Sequence, residues 1–297
     1  LESKSPHTKP SLLLEPIAYK EPLQQMQCSV NAINTYFQTD IVSAEKLASN
    51  LIVKMKGADI DFSDLCGLGH PNVVDAIEKG DSIVIKKDDF LGSTPNLMKR
   101  DDAFNFSAPM DQWKNLINLT APFGPGKDWV HNAGELNSIQ ELRITPSHWL
   151  SAYSGVGMDL VQDTINTLVA TASDNPAWEH LREPVSRIDF TPDSTGTREQ
   201  KIEKMVMQVQ DACPVYMNTQ QEFQLVLLTG SGQNNGNHFY TIAYNKTNDN
   251  WISLNSDAAL TAGVQPCEVF CKNADLKNAL LDRGVNAVLS PTLRFTS

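Results

Sequence analysis

Apolar residues recur along the chain at two periods, and the switch between them orders the elements. Val30, Ile33 and Phe37 follow one another at helical spacing from near Gln27. Leu47 and Leu51 do the same over 43–54, behind Ser43 as an N-cap. Met158, Val161, Ile165, Leu168 and Val169 predict a helix over 156–171. Thr197 and Gln200 form a capping-box pair ahead of Ile202, Met205, Val206 and Val209, which predicts a helix over 198–212. The period then falls to two. Phe223–Thr229, His238–Tyr244, Trp251–Asn255 and Asn286–Ser290 read as strands, with turn residues in Gly230–Asn237 and Asn245–Asn250 and a helix over 273–283.

Helices and antiparallel strands in this order predict an α+β protein. Residues 1–20 read as a flexible, proline-containing lead-in. Between 57 and 196, Gly, Pro, Asp and Asn interrupt the pattern every few residues, and four of the five tryptophans (Trp113, Trp129, Trp149, Trp178) fall there. That stretch reads as a partly helical insertion with a small core of its own, dividing a domain made of 21–56 and 197–297.

Charge and composition then narrow the function classes. With 24 Lys+Arg against 35 Asp+Glu, the net charge is −11, and no basic run offers a footprint for a phosphate backbone, so nucleic acid is not an expected partner. No apolar run reaches the length of a membrane span, and Leu1–Pro10 lacks the apolar core of a secretory signal. Five cysteines scattered over 297 residues argue against a disulfide framework and for a reducing compartment, hence a cytoplasmic location. Cys267 and Cys271 on a possible helix, and Cys66 with His70, have no second pair at zinc spacing, so no metal or other cofactor is expected. The glycines of Gly230–Gly236 lack the Lys-Ser/Thr and following helix of a phosphate loop.

The remaining chemistry centres on a thiol. A helix N-terminus favours thiolate, and Cys28 stands in the first turn of the first predicted helix. His238 opens one strand and Asn255 closes the next, so an antiparallel hairpin turning near 245–250 sets the Asn255 amide beside the His238 ring. Nucleophile, base and orienting group then come from helix, strand and strand. Asp257 is the alternative orienter.

These residues carry a resemblance. Cys28-Ser-Val-Asn-Ala-Ile-Asn34 is similar to the Cys-x-x-x-x-Leu-Asn opening of the Josephin cysteine proteases, the ataxin-type deubiquitinases. His238-Phe-Tyr-Thr-Ile and Trp251-Ile-Ser-Leu-Asn255-Ser256 resemble that family's His-Trp-Phe-Thr-Val and Trp-Phe-Asn-Leu-Asn-Ser hairpin. Asp275–Arg283 and Val285–Leu289 resemble its closing helix and strand. The likeness covers about 20–55 and 200–292. It implies a papain-like fold, a Cys28–His238–Asn255 triad, substrate contact at Trp251, and hydrolysis after the C-terminal glycine of ubiquitin or a ubiquitin-like protein. The family's oxyanion glutamine lies five residues before the cysteine, where this chain has Leu23; Gln24, Gln25 and Gln27 stand close by, with Gln24 the expected replacement. Cys28 and His238 stand 210 positions apart, about twice the family's spacing, which again makes 57–196 an insertion, with a role in substrate choice. A divergent, insertion-bearing relative of this kind suits a bacterial effector delivered to a host cytosol.

Three rival readings stay open at this point. The same triad serves a glutamine deamidase or transglutaminase. A catalytically dead scaffold would leave a ubiquitin-binding module. His238 with Cys267 faintly resembles the ubiquitin-like-protein proteases, in which the cysteine follows the histidine.

Overall fold

The computed structural model describes residues 28–37, 40–60, 62, 68, 71–97, 110, 113–114, 116–117, 138–152, 158–171, 183–212, 216–218, 221–231, 237–255 and 267–291. Helix α1 (Cys28–Phe37) is buried from Ser29 to Phe37, so it is a core helix rather than an amphipathic surface one. Its Asn34 side chain closes the segment that follows. Asn34 Oδ1 accepts from the Ile41 N–H at 3.0 Å and Nδ2 donates to Asp40 Oδ1 at 3.1 Å. The chain then divides into two compact units: residues 28–30 group with 42–160, and residues 31–41 group with the chain from 161 onward.

The first of these begins with α2 (Ala44–Gly57), whose N-cap Ser43 accepts from the Lys46 N–H at 3.2 Å. Its face of Leu47, Leu51, Ile52 and Met55 is buried as the spacing requires. Helix α3 (Pro71–Glu78) packs on α2, and Ser49 Oγ donates to the Glu78 carbonyl at 2.9 Å. Gly80, at φ +81°, ends it in the left-handed conformation that glycine adopts without a Cβ penalty. Strand β1 (Ile83–Lys86), helix α4 (Lys87–Leu97), strand β2 (Glu141–Ile144) and helix α5 (Pro146–Ala152) follow, with β1 and β2 antiparallel and Ile83 opposite Ile144. Trp113 and Trp149 are fully buried, and the Trp149 indole N–H donates to the Leu68 carbonyl at 3.3 Å. These two tryptophans therefore build the unit's own core, as the sequence suggests; Trp129 and Trp178 lie outside the described residues.

The second unit is built on a sheet. Helix α6 (Met158–Thr171) enters it and is tied to β3 (Val185–Asp189) where Asn166 Oδ1 accepts from the Val185 N–H at 2.8 Å. Helix α7 (Arg198–Ala212) is started by the anticipated capping box. The Thr197 N–H donates to Gln200 Oε1 at 2.9 Å, and the Gln200 N–H donates to Thr197 Oγ1 at 3.2 Å. Strands β4 (Tyr216–Asn218), β5 (Gln221–Ser231), β6 (Asn237–Asn245), β7 (Asn250–Leu254) and β8 (Cys267–Phe270) follow, then helix α8 (Asn273–Asp282) and strand β9 (Val285–Pro291). The sheet has seven antiparallel strands in the order β3-β9-β5-β6-β7-β8, with β4 paired to β5 beside this path. One face is closed by Ile202, Met205, Val206 and Val209 of α7 and Leu276 and Leu280 of α8. These pack with Tyr240, Ile242, Tyr244 and Trp251 of the sheet.

The chain is thus α+β. The division differs from the expected one at three places, of which the first is the grouping of residues 28–30 with 42–160. Helix α2 belongs with 57–160 rather than with the sheet, and the chain returns to the sheet unit from 161, because β3 pairs with β9 from Val185↔Pro291 to Asp189↔Ala287. Cys267–Phe270 is a strand and not the helix suggested by the Cys267–Cys271 spacing. The unit of residues 42–160 holds a two-stranded sheet besides its helices.

Candidate functional site

The hairpin β6–β7 brings its two ends together by register. Asn245 lies opposite Asn250 and Thr241 opposite Leu254, so the pairing leads from the turn back to His238 and Asn255. The turn itself is held by polar contacts. The Asn248 N–H donates to Asn245 Oδ1 at 3.1 Å, and the Tyr244 hydroxyl donates to Asp249 Oδ1 at 2.6 Å, while Asp249 takes φ +49°. At the other end His238 Nε2 stands 2.6 Å from Asn255 Oδ1. An amide oxygen only accepts, so Nε2 carries the hydrogen and Nδ1 keeps its lone pair. That is the state a general base needs.

Asn255 is buried and His238 half-buried, so the pair is partly shielded from solvent. Tyr240, two positions along β6 on the same face, lies beneath the ring with centroids 5.8 Å apart and planes 22° apart. Its hydroxyl is buried and makes no hydrogen bond of ordinary geometry, although the Arg283 guanidinium is near enough to act on it. Burial pushes the phenol up to about 12, against the opposing pull of Arg283. Arg283 in turn pairs with Glu268 of β8.

The opposite face of β6 meets α1. Thr241 Oγ1 donates to the Ala32 carbonyl at 3.3 Å, which fixes α1 to the same strand that carries His238. Cys28 is the first residue of α1, half-buried, and it precedes Ala32 by one turn. It groups with the other unit. None of Cys28, Cys267 and Cys271 is in a disulfide.

The other anticipated residues fare differently. Trp251 is 1% exposed within the core under α7 and α8, with its ring 5.1 Å from that of Tyr244 and its indole N–H bonded to Asn273 Oδ1 at 2.9 Å. It has no surface to offer a substrate; it is a packing residue. Gln24, Cys66, His70, Ser256 and Asp257 lie outside the described residues. Cys267 faces Leu254 across the β7–β8 ladder, in the row that continues to Thr241, away from the face of His238 and Tyr240. His148 caps α5 through Thr145, whose N–H donates to His148 Nδ1 at 3.1 Å, and burial lowers its pKa. Tyr240 and Arg283 were not singled out by the sequence, because an aromatic at i+2 on a strand reads as ordinary core.

No three His, Cys, Asp or Glu side chains gather as a metal site among the described residues, and no described helix is long and apolar enough to cross a membrane. No family model, curated protein or solved structure matches the chain.

Proposed function

We propose that the chain is a cysteine protease of the deubiquitinase type, on a papain-like scaffold, that cleaves after the C-terminal glycine of ubiquitin or a ubiquitin-like protein. The observation that carries the reading is the 2.6 Å contact of His238 Nε2 with Asn255 Oδ1, because it leaves Nδ1 as the basic atom of an oriented imidazole. Support comes from α1, which opens with Cys28 and is bonded to β6 through Ala32 and Thr241. The motifs around Cys28, His238 and Asn255 supply the choice of substrate.

In this mechanism His238 Nδ1 takes the Cys28 thiol proton as the sulfur attacks the glycine carbonyl. The imidazolium then protonates the leaving lysine amine, and the thioester is hydrolysed by a water that the imidazole deprotonates. Asn255 keeps the ring in one tautomer throughout, and the helix terminus at Cys28 favours the negative charge that develops there. A nucleophilic thiol of this kind suits a reducing cytosol, the host's if the chain is an effector.

The test is intact-mass labelling of the full chain by a ubiquitin carrying a C-terminal electrophile. One adduct, absent in Cys28→Ala, is the expected result. No adduct, in a protein whose Cys28 still reacts with iodoacetamide, would overturn the substrate and leave glutamine deamidation as the use of the thiol. An adduct that persists in Cys28→Ala would overturn the nucleophile. With turnover established, Asn255→Ala should lower kcat roughly 10- to 100-fold in hydrolysis of a ubiquitin C-terminal fluorogenic amide, with KM little changed.

A further inference from the structure

We propose that Tyr240 is a positioning residue for the His238 imidazole: its buried ring, stacked beneath the imidazole, restricts rotation about the histidine Cβ–Cγ bond and so maintains the bond to Asn255. The inference rests on the reading of His238 as the catalytic base.

A single hydrogen bond fixes an imidazole at one point of its edge, and the ring can still tilt about that point. A second, planar contact removes the tilt. Tyr240 supplies it at a centroid separation of 5.8 Å and a 22° angle, within the range of offset aromatic pairs. The tyrosine is itself immobile for three reasons. It is 3% exposed and packed with Ile242 and the α7 and α8 side chains, its strand is bonded on both edges by β5 and β7, and the Arg283–Glu268 pair closes over its hydroxyl end. The imidazole therefore lies between a buried amide and an immobilised ring. The hydroxyl end lies near Arg283, and the face of the ring is what meets the imidazole. The contribution is the ring's plane.

Because the ring and not the hydroxyl acts, Tyr240→Phe should behave as wild type and Tyr240→Leu should not. The first readout is the imidazole nitrogen spectrum of His238 in the full chain. Wild type and Tyr240→Phe should show one Nε2–H tautomer, and Tyr240→Leu an averaged pair of resonances. The second is hydrolysis of the ubiquitin C-terminal fluorogenic amide, where Tyr240→Leu should lose about tenfold in kcat at unchanged KM. Tyr240→Met, which fills the same space without a plane, repeats both measurements should the leucine variant fold poorly. Wild-type spectra and rates in both Tyr240→Leu and Tyr240→Met would overturn the proposal, as would equal loss in Tyr240→Phe. If the spectrum changes as expected but ubiquitin is never cleaved, Tyr240 still positions the ring and only the substrate reading fails.

Discussion

Trp251 shows how one side chain can look functional and be structural. In sequence it heads the segment Trp251–Asn255 and resembles a conserved-looking aromatic of a protease hairpin; in the fold it is sealed under two helices with its single donor satisfied. Trp251→Phe should therefore cost about 1–3 kcal/mol of stability, from lost volume and the lost indole bond to Asn273, and leave KM for the fluorogenic ubiquitin amide unchanged. Chemical denaturation beside steady-state kinetics separates the two effects. Tyr240 gives the complementary case on the pH axis. Its phenol is raised to about 12 in the fold and titrates near 10 when unfolded, so the unfolded chain releases the proton first as pH rises. The stabilisation is whole below pH 10 and is lost between about 10 and 12, on the order of 2–3 kcal/mol. Denaturation midpoints should fall over that interval in wild type and more shallowly in Tyr240→Phe.

Whether an element was visible in the sequence depended on how many inward positions it could display. Helix α7 shows a capping box and four core residues, and α6 and α8 are similarly marked, so each was located to within two residues. Thr197→Ala removes one arm of the box and should lower stability by about 1 kcal/mol, with the loss restored by Ser, as a thermal or urea melt would show. Strands β1 and β8 have four residues each, and their exposure never alternates fully between buried and open, which leaves periodicity with nothing to detect. Strand β3 reads buried, exposed, exposed, buried, exposed, a pattern that fits neither period. At the site, the His238–Asn255 juxtaposition was legible because hairpin register is local and fixed by turn length. The stacking of Tyr240 was not, since a ring's tilt depends on what packs behind it. Asn34 was legible as a motif letter only. Its amide bonds to Asp40 and Ile41 give that letter a structural meaning, holding the chain where it leaves α1.

On the scale of the molecule, the excess of acidic groups acts through long-range fields. A chain of net charge −11 attracts a partner with a basic tail and repels acidic ones, and the attraction weakens as salt shortens the screening length. Labelling of Cys28 by the ubiquitin electrophile should slow about threefold to tenfold from low salt to about 0.5 M, whereas labelling by neutral iodoacetamide should not change. Equal slowing of both would place the effect in the thiol and not in encounter.

The strand order carries a last consequence, for synthesis. Strand β9, the final described strand, lies between β3 and β5, both of which are synthesised before it. While the ribosome is still making α8, β3 has no neighbour and β5 has an open edge over Leu227–Gly230. Such an edge templates pairing with other chains. The nascent protein therefore passes through a vulnerable interval that ends only when Pro291 has emerged, and a stop codon at Gly284 should yield aggregates in a cell-free translation that the full chain does not.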